Sequence, residues 1–218
     1  MIIIKSDAEI EMMKIPAKLT AEILRDLEGF IKPGISTHDI DQFVEKRILE
    51  GGMIPAFKGY GGFPASACVS VNEVIVHGIP SKSKKLREGD IVSVDAGAIY
   101  QGWYSDMART YAVGEISPEA AKLVRVTEES FFEGLKYCVA GNYLSDVSHA
   151  IQVHLESNGF GVIRDYVGHV VSWDGYTLEM VRDAAANGSR PAQNVTIHQE
   201  QIATLKPVPE RRNTPPRP

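Results

Sequence analysis

The sequence predicts a mixed α/β fold of the α+β kind, and three observations predict it. Apolar residues recur at helical spacing on either side of a central block. Within that block, 65–113, residues are β-branched and alternating. Two β-rich arms in it flank a Tyr100-Gln101-Gly102 turn, which makes their pairing antiparallel. With 218 residues, 44% of them hydrophobic and 23% charged, the chain can bury a real core as one or two globular domains. Disorder and membrane span are both excluded as readings of the whole chain.

Ser6-Asp7-Ala8-Glu9 fits a capping box, and Ile10, Met13, Ala17, Ile23, Leu24 and Leu27 follow at helical spacing as far as Lys32-Pro33-Gly34. Ser36 or Thr37 caps a second helix with Ile40, Phe43, Val44 and Ile48 inward, and Gly51-Gly52 stops it. Strands follow at 67–71, 90–99 and 103–113. Ser117-Pro118-Glu119 starts a third helix whose buried stripe is Ala121, Leu123, Val124, Thr127, Phe131 and Leu135. A fourth helix is expected over 145–157, with Val147, Ala150, Ile151, Val153 and Leu155 inward and Asn158-Gly159 ending it; residues 160–167 return to strand character. After Tyr176 the composition breaks. The last 42 residues hold no aromatic, and six of the twelve prolines lie between Pro191 and Pro218, so a poorly ordered tail is expected there.

The longest uncharged apolar runs, at 2–4 and 63–71, fall far short of the roughly 20 residues that cross a bilayer. The N-terminal residues lack a basic region followed by a long apolar stretch, so no signal peptide is expected. Two cysteines, Cys68 and Cys138, make no disulfide framework and point to a reducing cytoplasm. Net charge is −5, and the one basic cluster is Lys82, Lys84, Lys85 and Arg87, which argues against DNA or an anionic membrane as the main partner.

The most informative stretch is 87–110. A hairpin turn centred between residues 100 and 101 would set Asp95 directly opposite Asp106, with Cβ atoms about 5 Å apart. Like charges so placed need neutralising, and a divalent cation does this. The alternative is a solvated face or a turn-capping Asp. The apolar neighbours Ile91, Val92, Val94 and Ala96 weigh against it, because an interior strand makes a lone carboxylate costly. His77 and His169 each follow apolar residues at a turn. Either reads as a hydrogen-bonded core histidine or as a neutral imidazole completing a carboxylate-rich metal site. His38, His149, His154 and His198 sit at helix-start, helical or tail positions and read as structural or exposed.

Several ordered motifs then add up. They are Lys32-Pro33-Gly34-Ile35-Ser36-Thr37, Tyr60-Gly61-Gly62-Phe63-Pro64, Cys68-Val69-Ser70-Val71-Asn72-Glu73, Val76-His77-Gly78-Ile79-Pro80, Gly89-Asp90-Ile91-Val92-Ser93-Val94-Asp95, Ser105-Asp106 and Tyr166-Val167-Gly168-His169. In these the chain resembles type I methionine aminopeptidases of bacterial kind over about residues 1–169. The resemblance implies a pita-bread fold, an antiparallel sheet backed by helices, with 1–169 as catalytic domain, an incomplete second half and 170–218 as a divergent tail. It also implies a cytoplasmic, monomeric metallopeptidase that removes the initiator methionine from nascent chains, with the ribosome as a further partner. Two divalent metal ions (Co, Mn, Fe, Zn or Ni) would be held by Asp95, Asp106 and His169, Asp106 bridging. His77 would contact substrate and stabilise the transition state, while Tyr60, Phe63 and Cys68 would line an apolar slot for the methionine thioether.

The departures from that family fall after His169. Val170-Val171-Ser172-Trp173-Asp174-Gly175-Tyr176 replaces a glycine-rich turn and a second histidine, with Tyr176 in the histidine's place. Two glutamate ligands that the resemblance implies have no matching context, and Glu179 and Glu200 are the nearest candidates. An inactive, peptide-binding or ribosome-associated relative is therefore the alternative expectation. A shifted reading frame or an alternative end after His169 would produce such a break.

Overall fold

The computed structural model describes residues 4–162 and the backbone of 203–207. Helix α1 spans Asp7–Phe30 and α2 spans Thr37–Glu50, and both begin in a reciprocal capping box. In α1 the Ser6 hydroxyl accepts from the Glu9 N–H while the Glu9 carboxylate accepts from Ser6 N–H. Ser36 and Asp39 repeat the arrangement in α2. Ile23, Leu24 and Leu27 of α1 meet Ile40, Val44 and Ile48 of α2 in the main core. Each of these side chains contributes roughly 1.5–3 kcal/mol by leaving water.

Six strands follow. They are β1 (Ile54–Pro55), β2 (Ala67–Val71), β3 (Ile91–Ala96), β4 (Ala98–Tyr100), β5 (Trp103–Tyr104) and β6 (Met107–Ala112). They form two three-stranded antiparallel sheets in the orders β1-β4-β5 and β2-β3-β6. The hairpin read from the sequence thus runs through both sheets, with a break at Gly97 on one arm and at Ser105-Asp106 on the other. Ala67, Val69 and Val71 of β2 and Val92, Val94 and Ala96 of β3 turn into the core shared with α1 and α2. The Tyr111 hydroxyl donates to the Leu24 carbonyl, tying β6 to α1.

Helix α3 (Pro118–Leu135) and α4 (Leu144–Ser157) close a second cluster with β7 (Phe160–Val162), and Ile91 packs against it. Two expected stripes shift here. In α3 the buried positions are Leu123, Val126, Thr127, Ser130 and Gly134, while Ala121 and Leu135 are exposed. In α4 they are Leu144, Val147, Ile151 and Leu155, and Val153 is exposed, because two residues from Ile151 is about 200° around a helix. A last strand, β8 (Ala203–Pro207), pairs antiparallel with β7. The proline-rich composition of the tail hid this strand from sequence reading. The rest of the tail lies outside the described residues.

The α2 cap gives a first prediction. Ser36→Ala removes the hydroxyl that accepts from Asp39 N–H and is expected to cost about 1 kcal/mol. The Ser36 hydroxyl, then its N–H, hold the Asp39 carboxyl below the usual carboxylate range. A depressed carboxyl stabilises the fold above its unfolded pKa of about 4 and loses that contribution as pH falls through the folded value. The gap between wild type and variant in urea unfolding should therefore narrow as pH falls toward about 2 and keep the share of the Asp39 N–H bond, which does not titrate. Equal gaps at both pH values would contradict the assignment.

Candidate functional site

The sheet β2-β3-β6 has one face in the core and one turned away from it. Residues 91, 93 and 95 of β3 alternate with the buried 92, 94 and 96 and share the outward face. The Ser93 and Thr110 hydroxyls, 2.7 Å apart, confirm that opposite residues of β3 and β6 stand together on it. Asp95 lies on this face. Its direct partners are Cys68 on β2 and Ala108 on β6.

This corrects the expected register. The sequence reading set Asp95 directly opposite Asp106, but the turn residues are Gln101 and Gly102, with φ of 50° and 84°, and Tyr100 pairs with Trp103. A two-residue hairpin with positive φ at both central positions favours glycine at the second, and Gly102 supplies it. The turn centre therefore moves by one residue. Pairs on both sides of the break keep one register, which sets Gly97 opposite Asp106 and makes Asp106 a diagonal neighbour of Asp95. The diagonal spacing is about 7–8 Å between Cα atoms, and the alternation of β6 carried one residue further would set Asp106 on the face of Asp95. Each buries one carboxylate oxygen, Oδ1, from solvent.

Gly97 allows this break. A Cβ there would lie 2.5 Å from the Ser105 carbonyl oxygen, 3.0 Å from Phe57 and 3.1 Å from Ala56. Beside it, the Ala98 N–H donates to Ser105 Oγ at 3.0 Å, and Ser105 N–H donates to the Ala98 carbonyl at 2.9 Å.

Cys68 is buried and lies outside the core cluster that takes Ala67, Val69 and Val71, so its thiol belongs to the Asp95 face. His77 is exposed at the outer edge of β2, with φ of 57°. Next to it, Gly78 accepts from Val69 N–H at 2.8 Å and donates to Ser70 Oγ at 3.1 Å, which seats this loop against the strand. Tyr60 is 81% exposed in a short 3-10 turn and Phe63 is half-buried just after it. His169, Tyr176, Glu179 and Glu200 lie outside the described residues. Among the described residues, no group of three or more His, Cys, Asp or Glu side chains converges as a metal site. Asp95 and Asp106 do fit a divalent cation as a starting pair, being hard oxygen donors at diagonal positions of one hairpin with one oxygen of each buried.

Sequence reasoning missed the side chains that hold the loop carrying Tyr60 and Phe63. Asp41 is buried on α2, and its Oδ1 accepts from the N–H groups of Ser66 at 2.7 Å and Ala67 at 3.0 Å, fixing the start of β2. One turn on, Glu45 pairs with Lys58 at 2.5 Å, and that hydrogen bond holds the Glu45 carboxyl below its usual range. The signal was present. Asp41 shares a helical stripe with Thr37, Ile40, Val44 and Ile48, an acid where the period calls for an apolar residue.

The sequence profile of metallopeptidase family M24 matches residues 11–208. Methionine aminopeptidase of Clostridium acetobutylicum is 51% identical over 209 residues, which is 95% of this chain and 82% of that protein. Methionine aminopeptidase 1 of Bacillus subtilis is 49% identical over 174 residues, 80% of this chain and 70% of the relative. The crystal structure of methionine aminopeptidase from Thermotoga maritima superposes with a TM-score of 0.77 at 50% identity, over 79% of this chain and 70% of that one.

Proposed function

The chain belongs to metallopeptidase family M24, and from that membership we propose that it binds peptides with a free N-terminal methionine and hydrolyses the first peptide bond in a metal-dependent way. The observation that supports this reading is the hairpin register, which pairs Asp95 with Cys68 and puts Asp106 diagonally across from Asp95. Asp95 and Asp106 would hold divalent cations, which supply Lewis acidity and a water of lowered pKa when bound. His169 would add an imidazole. Cys68, Phe63 and Tyr60 would bound the slot for the methionine side chain, whose flexible thioether packs well against apolar and aromatic groups. His77, at the edge of β2, would donate a hydrogen bond to the substrate.

Turnover by this chain is expected to be slow. The glutamate contexts implied by the resemblance are missing from the sequence and Tyr176 stands in place of a histidine, so the donor set is short of carboxylates. Groups that act as a unit lose most of their effect together when several are absent. The test is free methionine released from a Met-Ala peptide with Mn²⁺ or Co²⁺, with and without chelator. The expected result is chelator-sensitive release at less than a tenth of the median enzyme rate of about 10 s⁻¹. Release indifferent to chelator would overturn the metal-dependent reading. Peptide affinity indifferent to chelator, with no release, would favour a non-catalytic peptide-binding protein.

A further inference from the structure

We infer that Thr20 of α1 and Ser105 form a buried hydroxyl pair that positions Asp106 as a metal ligand, an inference that rests on the metal-binding reading of Asp95 and Asp106 above. Thr20 is 0% and Ser105 5% exposed, and their hydroxyl oxygens are 2.6 Å apart. Thr20 Oγ1 also lies 3.1 Å from the Pro16 carbonyl, and Ser105 Oγ accepts from Ala98 N–H at 3.0 Å. Each hydroxyl has one proton to give. The shorter distances are all used when Thr20 donates to the Pro16 carbonyl, Ser105 donates to Thr20 Oγ1, and Ala98 N–H donates to Ser105 Oγ. Every polar group in this chain of bonds is then satisfied.

The network sits where the two sheets part. Ser105 is the residue before Asp106; its N–H donates to the Ala98 carbonyl, and its side-chain hydroxyl meets Thr20 of α1. Asp106 lies in no strand, so strand pairing alone does not fix the direction of its side chain. The tie to α1 supplies that direction. Thr20 and Ser105 touch no substrate and act through the backbone of Asp106, which makes them positioning residues.

The experiment compares Co²⁺ affinity, read from the visible absorption of the bound ion, in wild type and in Thr20→Val, Thr20→Ser, Thr20→Val/Ser105→Ala and Asp106→Asn, with thermal stability measured alongside. Residues that orient metal ligands from behind typically change affinity by about 10–100-fold, and a loss of that size is expected in Thr20→Val. Thr20→Ser keeps the hydroxyl and is expected to restore affinity. The double variant removes both hydroxyls and leaves the Ala98 N–H without its Ser105 Oγ acceptor, so stability stays below wild type and Co²⁺ affinity stays low. Wild-type Co²⁺ affinity in Thr20→Val or in the double variant, at whatever stability, would overturn the inference and leave the pair purely structural. Wild type binding Co²⁺ no more tightly than Asp106→Asn would overturn the metal reading itself, and the inference with it.

Discussion

Asp106→Asn is expected to weaken divalent metal affinity by more than about a hundredfold, because mutating even the groups behind a ligand costs roughly 10–100-fold and this change removes a ligand's charge directly. The substitution is nearly isosteric, so the fold should survive it. Asp106 lies at the break in the hairpin, outside the pairs of β5 and β6. Asp95→Asn should act in the same direction. Its place within β3, between Cys68 and Ala108, is separate from that of Asp106 at the break, so the two substitutions are independent tests. Calorimetric titration with Mn²⁺ or Co²⁺ checks this, with the thermal midpoint of the metal-free protein as control for folding. Metal affinity unchanged in both variants would remove Asp95 and Asp106 from the site.

The first helices were legible because their signals are local. Ser6 and Glu9 form the capping box that their spacing predicts, and of the two candidates for α2 it is Ser36 that caps, with Asp39 completing the box. The carboxylate face was legible in part, since alternation along β3 fixes which side Asp95 takes whatever the register. The partner of Asp95 was not, because it depends on one turn residue, and choosing Gly102 over Gln101 as the second turn position moves every pair. Contacts between distant segments were hidden altogether. Thr20 and Ser105 are 85 positions apart and meet only because α1 crosses the break between the sheets. Asp41 reaches β2 across 26 positions, and only its place in an apolar stripe marks it. Long-range polar pairs of this kind carry no periodicity, so the sequence signals the element and leaves the partner unnamed.

Gly78→Ala is expected to destabilise the protein by about 1–3 kcal/mol, the usual range for forcing extra atoms into a packed site. A Cβ at this position would lie 2.7 Å from the Val69 carbonyl carbon and 2.9 Å from Ser70 Cα. These are backbone atoms of a buried strand, paired on its other side with β3, so they cannot move aside as the end of a flexible side chain would. Relief must come from the loop. That breaks the hydrogen bonds from Val69 N–H to the Gly78 carbonyl and from Gly78 N–H to Ser70 Oγ, and it carries His77 away from the edge of β2. The thermal midpoint should fall by roughly 2–4 °C for each kcal/mol in a chain of this size. Gly29→Ala is the matched control, since no atom lies within 4 Å of its Cβ and it sits within α1, where alanine is favoured by up to about 1 kcal/mol. A midpoint that rises in Gly29→Ala and falls in Gly78→Ala, with peptide affinity lost only in the second, places His77 beside the substrate. Loss of stability without loss of peptide affinity would make Gly78 a packing residue and take His77 out of the site.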